Sequence, residues 1–505
     1  MSTIFLHKIR LAFSTLIVGS LIGLNACQLQ DHPLPGGSGP DQTIYLLTTG
    51  NRLVKRNLQM PDRDMDVNAI TGEGLDASNE IASIDFRPAT GQLYGLTNSG
   101  FLYVINPESG AARRINATAL FSGIGEVEID FNPTVDLLRV VSTNGTNLRV
   151  NPNNGTITGT DGTINGAITA VAYTNNRAGA ATTTLYDLNI AQDKLFIQNP
   201  PNNGTLVEVG GLGMDVTAGK GFDISPDNSL ALLAVTVGGR SELHNVNLST
   251  GAITKRGDLG SAYTFTGLAI PTEAVAYAVD ASNNLIIFNP MALTPVSKAI
   301  TGLQTGETIL GIDMRPANGQ IYALGSTSRI YTINASSGAA TAVGAGPFTP
   351  ALSGTEFGFD FNPAVDLIRI VSNTGQNLRV NPTTGALAGT DGNLNPGSPA
   401  VTAAGYSQNF PGTTATTLFV IDSNTDKLYR QMPPNNGTLV EVGGLGIDID
   451  ASNGFDVTGA TDTAYGLFSV GGTTRIYRLN LGTGAATQIA TFPTAVKGMT
   501  VGLGF

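Results

Sequence analysis

Four arginines carry the most pointed chemistry in this chain: Arg139 and Arg149 in one half, Arg369 and Arg379 in the other. In each half the two lie ten residues apart, in the apolar stretches LLRVVS and NLRV and in LIRIVS and NLRV. These stretches read as neighbouring β-strands, so two guanidinium groups should stand side by side. Like charges that close repel unless a carboxylate or a bound anion lies between them. The nearest acids in sequence are Asp136 and Asp366, which are the expected counter-charges. The expected ligand-binding set is therefore Arg139, Arg149 and Asp136, repeated as Arg369, Arg379 and Asp366. An anionic or polyhydroxylated ligand would suit it, and ion pairing between packed sheets is the plainer alternative.

Other chemistry is poorly supplied. The only histidines are His7, His32 and His244. A Ser-His-Asp triad would have to be built on His244, whose place in SELHNVNL strand alternation already explains. Zinc and copper lack nitrogen and sulfur ligands. Asp62, Asp64, Asp66 and Glu73 stand at positions one, three, five and twelve of an EF-hand count, but Val67 occupies the position where that loop needs glycine. No cofactor is expected, and this acidic turn is the one calcium candidate. Hydrolysis by a carboxylate pair needs only two spaced acids. Against it, the chain has no tryptophan to serve as a sugar platform. Catalytic residues are therefore not assigned, and the chain reads more readily as a non-enzyme. GGLG and VGGT join strand to strand, so they are turns rather than phosphate loops.

The elements that must position the arginines come in repeats. DFNPTVDLLRVVSTNGTNLRVNP (130–152) returns as DFNPAVDLIRIVSNTGQNLRVNP (360–382), and PPNNGTLVEVGGLG (200–213) returns unchanged at 433–446. The chain is an internal duplication. Within each half an aspartate closes an apolar segment at Asp85, Asp130 and Asp223, and again at Asp313, Asp360 and Asp456, which spaces units about 45 residues apart. The unit from Ile81 reads as four short strands, IASIDF, QLYGLT, FLYVIN and AARRIN, separated by turns. Nine residues after Asp85 and Asp313 stand Tyr94 and Tyr322, where the same count from Asp130 and Asp360 reaches Arg139 and Arg369. Asp130 and Asp360 themselves are expected to staple their own turns by accepting N–H groups two residues on, with Pro133 and Pro363 presetting φ.

Four-strand units repeated in tandem predict an all-β fold, a β-propeller of ten blades, five to each half. The first unit lacks its innermost strand, and FTGLAI and VKGMTVGLGF supply strands that could close a ring. Only Pro271 to Glu273 separate FTGLAI from AVAYAV, as a turn inside one blade would, which suits one ten-bladed ring. A unit already shaped to close with five blades suits two five-bladed rings, and that layout is favoured.

The amino terminus gives an address. Lys8 and Arg10 precede an apolar run, Leu11 to Leu24, that ends at Cys27, the only cysteine. This pattern predicts a lipoprotein signal peptide over 1–26, lipid attachment at Cys27, and a Gly, Pro and Ser tether over 27–40. Propeller repeats over 41–271 and 272–505 follow. The expected location is exported, on a bacterial membrane through the lipid anchor, outer membrane or cell surface. A net charge of −11 with 13% charged residues excludes nucleic acid as a partner.

The long motifs DFNPxVDxxRxVSxxGxNLRVNP, GTDG (at Gly159 and Gly389) and PPNNGTLxxVGxLG together resemble a bacterial family named only as domain of unknown function 4394, in two tandem copies from Asp41 to the end. The resemblance implies a secreted β-propeller with no assigned activity, and no catalytic residue to carry across. The expected role is a non-enzymatic cell-envelope lipoprotein whose loops bind a protein, polysaccharide or small ligand. A carbohydrate-active hydrolase and a purely structural envelope protein are the alternatives.

Overall fold

The computed structural model describes residues 40–451, 453–459 and 461–505. The expected signal peptide, Cys27 and the tether up to residue 39 lie outside the described residues. Among those described, the only helical pieces are the 3₁₀ turns Ile190–Gln192, Pro201–Asn203 and Pro434–Asn436, and no helix is long and apolar enough to cross a membrane.

Ten antiparallel sheets follow one another, each of four strands, and the second gains a short parallel fifth strand, Thr71–Gly72. The innermost strands of the first five are Phe265–Ala269, Ile81–Phe86, Val127–Asn132, Ala170–Tyr173 and Ala218–Ile224, here blades 1 to 5. Each packs against the next, and blade 5 packs back on blade 1. Blade 1 is closed by its last-made strand, with Tyr45 paired to Ala269 and Leu46 to Leu268. The second half repeats this with Val496–Val501, Ile309–Arg315, Phe357–Asn362, Val401–Tyr406 and Asn453–Val457, and closes by pairing Ala276 with Val501. There are therefore two five-bladed rings, not one of ten. Closure within each half removes the open edge that a strand without a partner would leave.

Burial follows strand position. The inner strand IASIDF is buried at every residue, because neighbouring blades cover both its faces, whereas the outermost strand Ala292–Ala299 alternates between exposed and half-buried residues. Aromatic rings fill the wedge between blades 2 and 3. Tyr94 meets Phe131 edge-on at 5.2 Å, and Tyr322 meets Phe361 at 5.1 Å. The segment with the calcium-loop count is the strand Met60–Ala69, and Asp64 is held by Arg56 at 2.7 Å, so its acids are drawn out along an extended chain.

The rings share a seam. Tyr277 Oη donates to Ala89 O at 2.8 Å, Gly504 N donates to Thr90 O at 3.0 Å, and Asn153 Nδ2 donates to Gln320 Oε1 at 2.5 Å. Phe505 lies on Gly91, where a Cβ would stand 2.3 Å from the ring, and φ there is +71°.

The aspartates that end the inner strands staple blades rather than turns, which corrects the expectation for Asp130 and Asp360. Asp130 Oδ1 accepts the N–H of Tyr173 in blade 4 at 3.0 Å, and Asp360 Oδ1 accepts that of Tyr406 at 2.9 Å. Asp85 and Asp313 likewise take Phe131 and Phe361, each at 2.7 Å; Asp223 takes Ile270 at 2.6 Å and Asp456 takes Val501 at 2.7 Å. An innermost strand has ladder partners on one edge only, so its axial N–H groups need an acceptor from elsewhere.

Candidate functional site

Blade 3 of each ring places its arginines as the sequence predicts. Arg139 stands opposite Arg149, and Arg369 opposite Arg379, in direct register on strands two and three. Arg139 and Arg369 are buried; Arg149 and Arg379 keep 32% and 29% of their side chains exposed, enough to meet a ligand.

The counter-charge is not the expected one. Asp136 is gripped by Arg87 of blade 2, Nε to Oδ1 at 2.8 Å and Nη2 to Oδ2 at 2.5 Å. Asp366 is gripped the same way by Arg315, with Nε to Oδ1 at 2.8 Å. These acids lie not on the strand but in the turn just before it, at φ of +53° and +54°, and from there their carboxylates reach the arginine of blade 2. The acids therefore serve the blade 2 side and the arginines the blade 4 side.

Asp161 and Asp391 do the work instead. Each lies in the repeated GTDG, 22 residues after the buried arginine. Asp391 accepts Arg369 Nη1 at 2.5 Å, and both Nε and Nη2 of Arg379 at 2.8 Å. Asp161 repeats this with Arg139 at 2.6 Å and Arg149 at 2.9 and 2.8 Å. Burial pushes both carboxyls up, but the hydrogen bonds and charges of the two arginines outweigh it and hold them below the usual carboxylate range. A Cβ on Gly389 would lie 2.7 Å from Arg379 Nη2, and on Gly159 2.5 Å from Arg149 Nη2, so only glycine lets the guanidinium lie across that strand. The signal that could have found Asp161 and Asp391 is the recurrence of GTDG at one distance from the arginine in both halves.

Blade 4 completes the assembly. Arg369 Nη2 donates to Asn435 of the PPNNG loop at 2.7 Å, and its Nε donates to Tyr406 Oη at 3.4 Å. Asn377 takes the other Nη1 hydrogen at 2.7 Å and donates to Pro434 O and Gly392 O, each at 3.0 Å. All three repeated motifs thus meet between blades 3 and 4. Two of them, with Tyr406, wall a cavity of about 290 Å³ in the second ring, lined by Asn362, Val365 and Leu367, by Arg369 and Arg379, by Tyr406, and by Pro433, Pro434 and Asn435. The first ring carries the same residue type at every one of these positions: Asn132, Val135, Leu137, Arg139, Arg149, Tyr173, Pro200, Pro201 and Asn202.

A second polar assembly lies on each axis. Carboxylate oxygens of Asp85, Asp130 and Asp223 fall within 4.8 Å of one another, as do those of Asp313, Asp360 and Asp456. Burial drives all six carboxyls up, Asp223 and Asp456 to about 7. Backbone amides donate to each of them, so their evident role is stapling. His244 is buried and bonded through Nε2 to Glu242 at 2.8 Å, inside blade 5 and away from both assemblies.

The fold and the site define a tandem pair of five-bladed β-propellers, each with a paired-arginine assembly between its third and fourth blades that in the second ring walls a cavity. The chain belongs to the family described as Domain of unknown function (DUF4394), whose model matches residues 52–269 and 284–501. Among solved structures it is similar to the extracellular domain of a candidate one-component system of B. thetaiotaomicron, at 11% identity and TM-score 0.25, over 90% of this chain and 65% of that one. It is similar also to the extracellular domain of a candidate hybrid two-component system of the same organism, at 13% identity and TM-score 0.26, over 91% of this chain and 66% of that one. The chain thus spans just under two thirds of those chains. No curated protein matches it.

Proposed function

We propose that this chain is a non-enzymatic binding protein of the bacterial cell envelope, held to a membrane by lipid at Cys27, which receives an envelope ligand in the blade 3–4 cleft. The observation that carries the reading is the cavity of about 290 Å³ at the meeting point of all three repeated motifs. Rigid blades fix its walls, which is how recognition loops are usually supported. Among the described residues none of the side chains walling it is a carboxylate, so a carboxylate-pair hydrolysis has no acid there to run on.

Val365 stands at the cavity wall with 60% of its surface exposed, and Val135 matches it with 43%, so both accept a larger side chain without disturbing a core. The test is capture of envelope polysaccharides and proteins by the mature domain, compared with the Val135→Trp/Val365→Trp variant. The expected result is a ligand retained by the parent and lost by the blocked variant at unchanged thermal stability. Equal capture by both removes the cleft from the function, and release of new reducing ends from a captured polysaccharide puts the hydrolase in its place. Loss of detergent-phase partitioning in Cys27→Ser tests the anchor.

A further inference from the structure

The hydrogen-bonding capacity left over in the cleft is one-sided. Arg379 spends Nε and one Nη2 hydrogen on Asp391. Its end-on fork, Nη1 with the second Nη2 hydrogen, has no partner among the described residues and faces a cavity it helps to wall. Arginine has no acceptor, so Asn435 must turn its oxygen to Arg369, which leaves its NH₂ to the cavity. Asn362 is fixed the same way, because its oxygen accepts Ala364 N at 3.0 Å. Tyr406 accepts from Arg369, so its own O–H remains to donate. The hydrogens left unspent by these side chains outnumber the acceptor sites, because the oxygens of Asn435 and Tyr406 already accept from Arg369 and that of Asn362 accepts two backbone N–H groups, and two guanidinium groups share one carboxylate, a net single positive charge.

A site for a neutral sugar offers acceptors to hydroxyl hydrogens as well as donors to their oxygens. On this wall the side-chain oxygens already accept bonds from within the cleft, so the free capacity is chiefly that of donors. The first ring holds a similar pattern: Asn202 turns its oxygen to Arg139 at 2.8 Å, Asn132 accepts Thr134 N at 3.0 Å and spends one amide hydrogen on Tyr173, Tyr173 accepts Arg139 Nε at 3.2 Å, and Arg149 forks onto Asp161.

Resting on the binding role proposed above, we infer that each cleft is a receptor for a carboxylate carried on a sugar or other small polar body, seated bidentate on the free fork of Arg379 or Arg149, and that the chain holds two such receptors. The planar fork matches the two oxygens of a carboxylate in geometry as well as charge. Two equal receptors on one chain suit a polymer with repeated acidic residues, where the second contact forms at raised effective concentration.

Calorimetric titration of the mature domain with D-galacturonate, D-galactose and sodium sulfate tests this, followed by oligogalacturonate. The expected result is saturable galacturonate binding at two sites per chain, weakened by salt, with galactose at least about tenfold weaker. Arg149→Gln and Arg379→Gln should each remove one site, the pair together should remove both, and the oligomer should bind more tightly to the parent than to either single variant. Galactose binding as well as galacturonate overturns the acid selectivity while leaving the cleft as a binding site. Sulfate competing no better than chloride supports the carboxylate fork, and sulfate binding more tightly than galacturonate replaces it with a tetrahedral oxyanion. Absence of galacturonate binding, or binding unchanged in the double variant, overturns the inference outright.

Discussion

Asp360 Oδ1 in blade 3 accepts the backbone N–H of Tyr406 in blade 4 at 2.9 Å, and both residues are buried. The bond supplies an acceptor to an inner strand that has no ladder neighbour on its axial side, and it fixes the blade whose Tyr406 hydroxyl meets Arg369. In Asp360→Ala the Tyr406 N–H stays buried and unpaired, which costs about 1–3 kcal/mol. Denaturant unfolding near pH 5, where the lost charge counts least, should show this as a lower midpoint for the second ring. A midpoint equal to the parent's would mean that the bond contributes nothing.

The axial carboxyls give stability a pH dependence of definite sign. Burial raises their folded-state pKa above the ordinary value of 3.8, to about 7 for Asp223 and Asp456. The folded chain then holds protons that the unfolded chain releases. That contribution is full below the unfolded value and is lost as pH rises through the folded one. In the second ring the geometry demands a proton. Thr500 Oγ1 accepts Met314 N at 3.0 Å and lies 2.9 Å from Asp313 and 3.0 Å from Asp456, but has one hydrogen for the two carboxyls. One of them must donate. The unfolding midpoint should therefore fall between about pH 4 and about pH 7, and Asp223→Asn/Asp456→Asn should flatten the fall. A midpoint that rises over that interval contradicts the assignment.

The two rings differ at one buried position beside the arginine network. Asp187 in LYDLN is fully buried, and neither carboxylate oxygen has a hydrogen-bond partner among the described residues. Burial raises it to about 8, against the pull of Arg139. The corresponding strand of the second ring, LFVID, has Val420 there, also fully buried. Asp187→Val removes an unsatisfied polar group and fits a backbone that already accepts valine in duplicate. It should raise stability by about 1–3 kcal/mol, read as a higher first-ring midpoint near neutral pH. A lower midpoint would show that the carboxyl has a stabilising role in the first ring that its duplicate lacks.

Repetition made the architecture legible. Period-two apolar strands, the recurring strand-end aspartates and the two closing strands predicted ten blades, and the missing first inner strand pointed to ring closure. The exchange of Tyr94 for Arg139 at one repeat position marked the site, because a charge there has to find partners in a wedge that the neighbouring blades fill with rings. Its partners were less legible. Asp136 is nearer to Arg139 in sequence than Asp161, but it sits in a turn at φ +53° where Arg87 of blade 2 grips it, and proximity along the chain says nothing about which blade a residue serves. Tyr173 and Asn202 come from blade 4, so only the packing of blades brings them in. The role of Asp130 is hidden from the sequence for the same reason, since its carboxylate accepts across a blade boundary.

Removing the shared carboxylate separates its two arginines energetically. Arg369 is buried with bonds to Asp391, Asn377, Asn435 and Tyr406, so Arg369→Ala strands a buried acid and two amides and should cost about 3–5 kcal/mol. Arg379 is part-exposed and bonds Asp391 alone, so Arg379→Gln should cost within about 1 kcal/mol. Asp391→Asn is the sharper variant, because it leaves two facing guanidinium groups without their counter-charge. Its unfolding midpoint should drop well below the parent's at low ionic strength and recover as salt screens the repulsion. Sodium sulfate should restore more than sodium chloride at equal ionic strength, once each salt's effect on the parent is subtracted, because an oxyanion can bond both arginines where chloride only screens. If the Asp391→Asn midpoint tracks the parent's in both salts, the two arginines do not depend on Asp391 for their proximity, and the cleft has no uncompensated charge to offer a ligand.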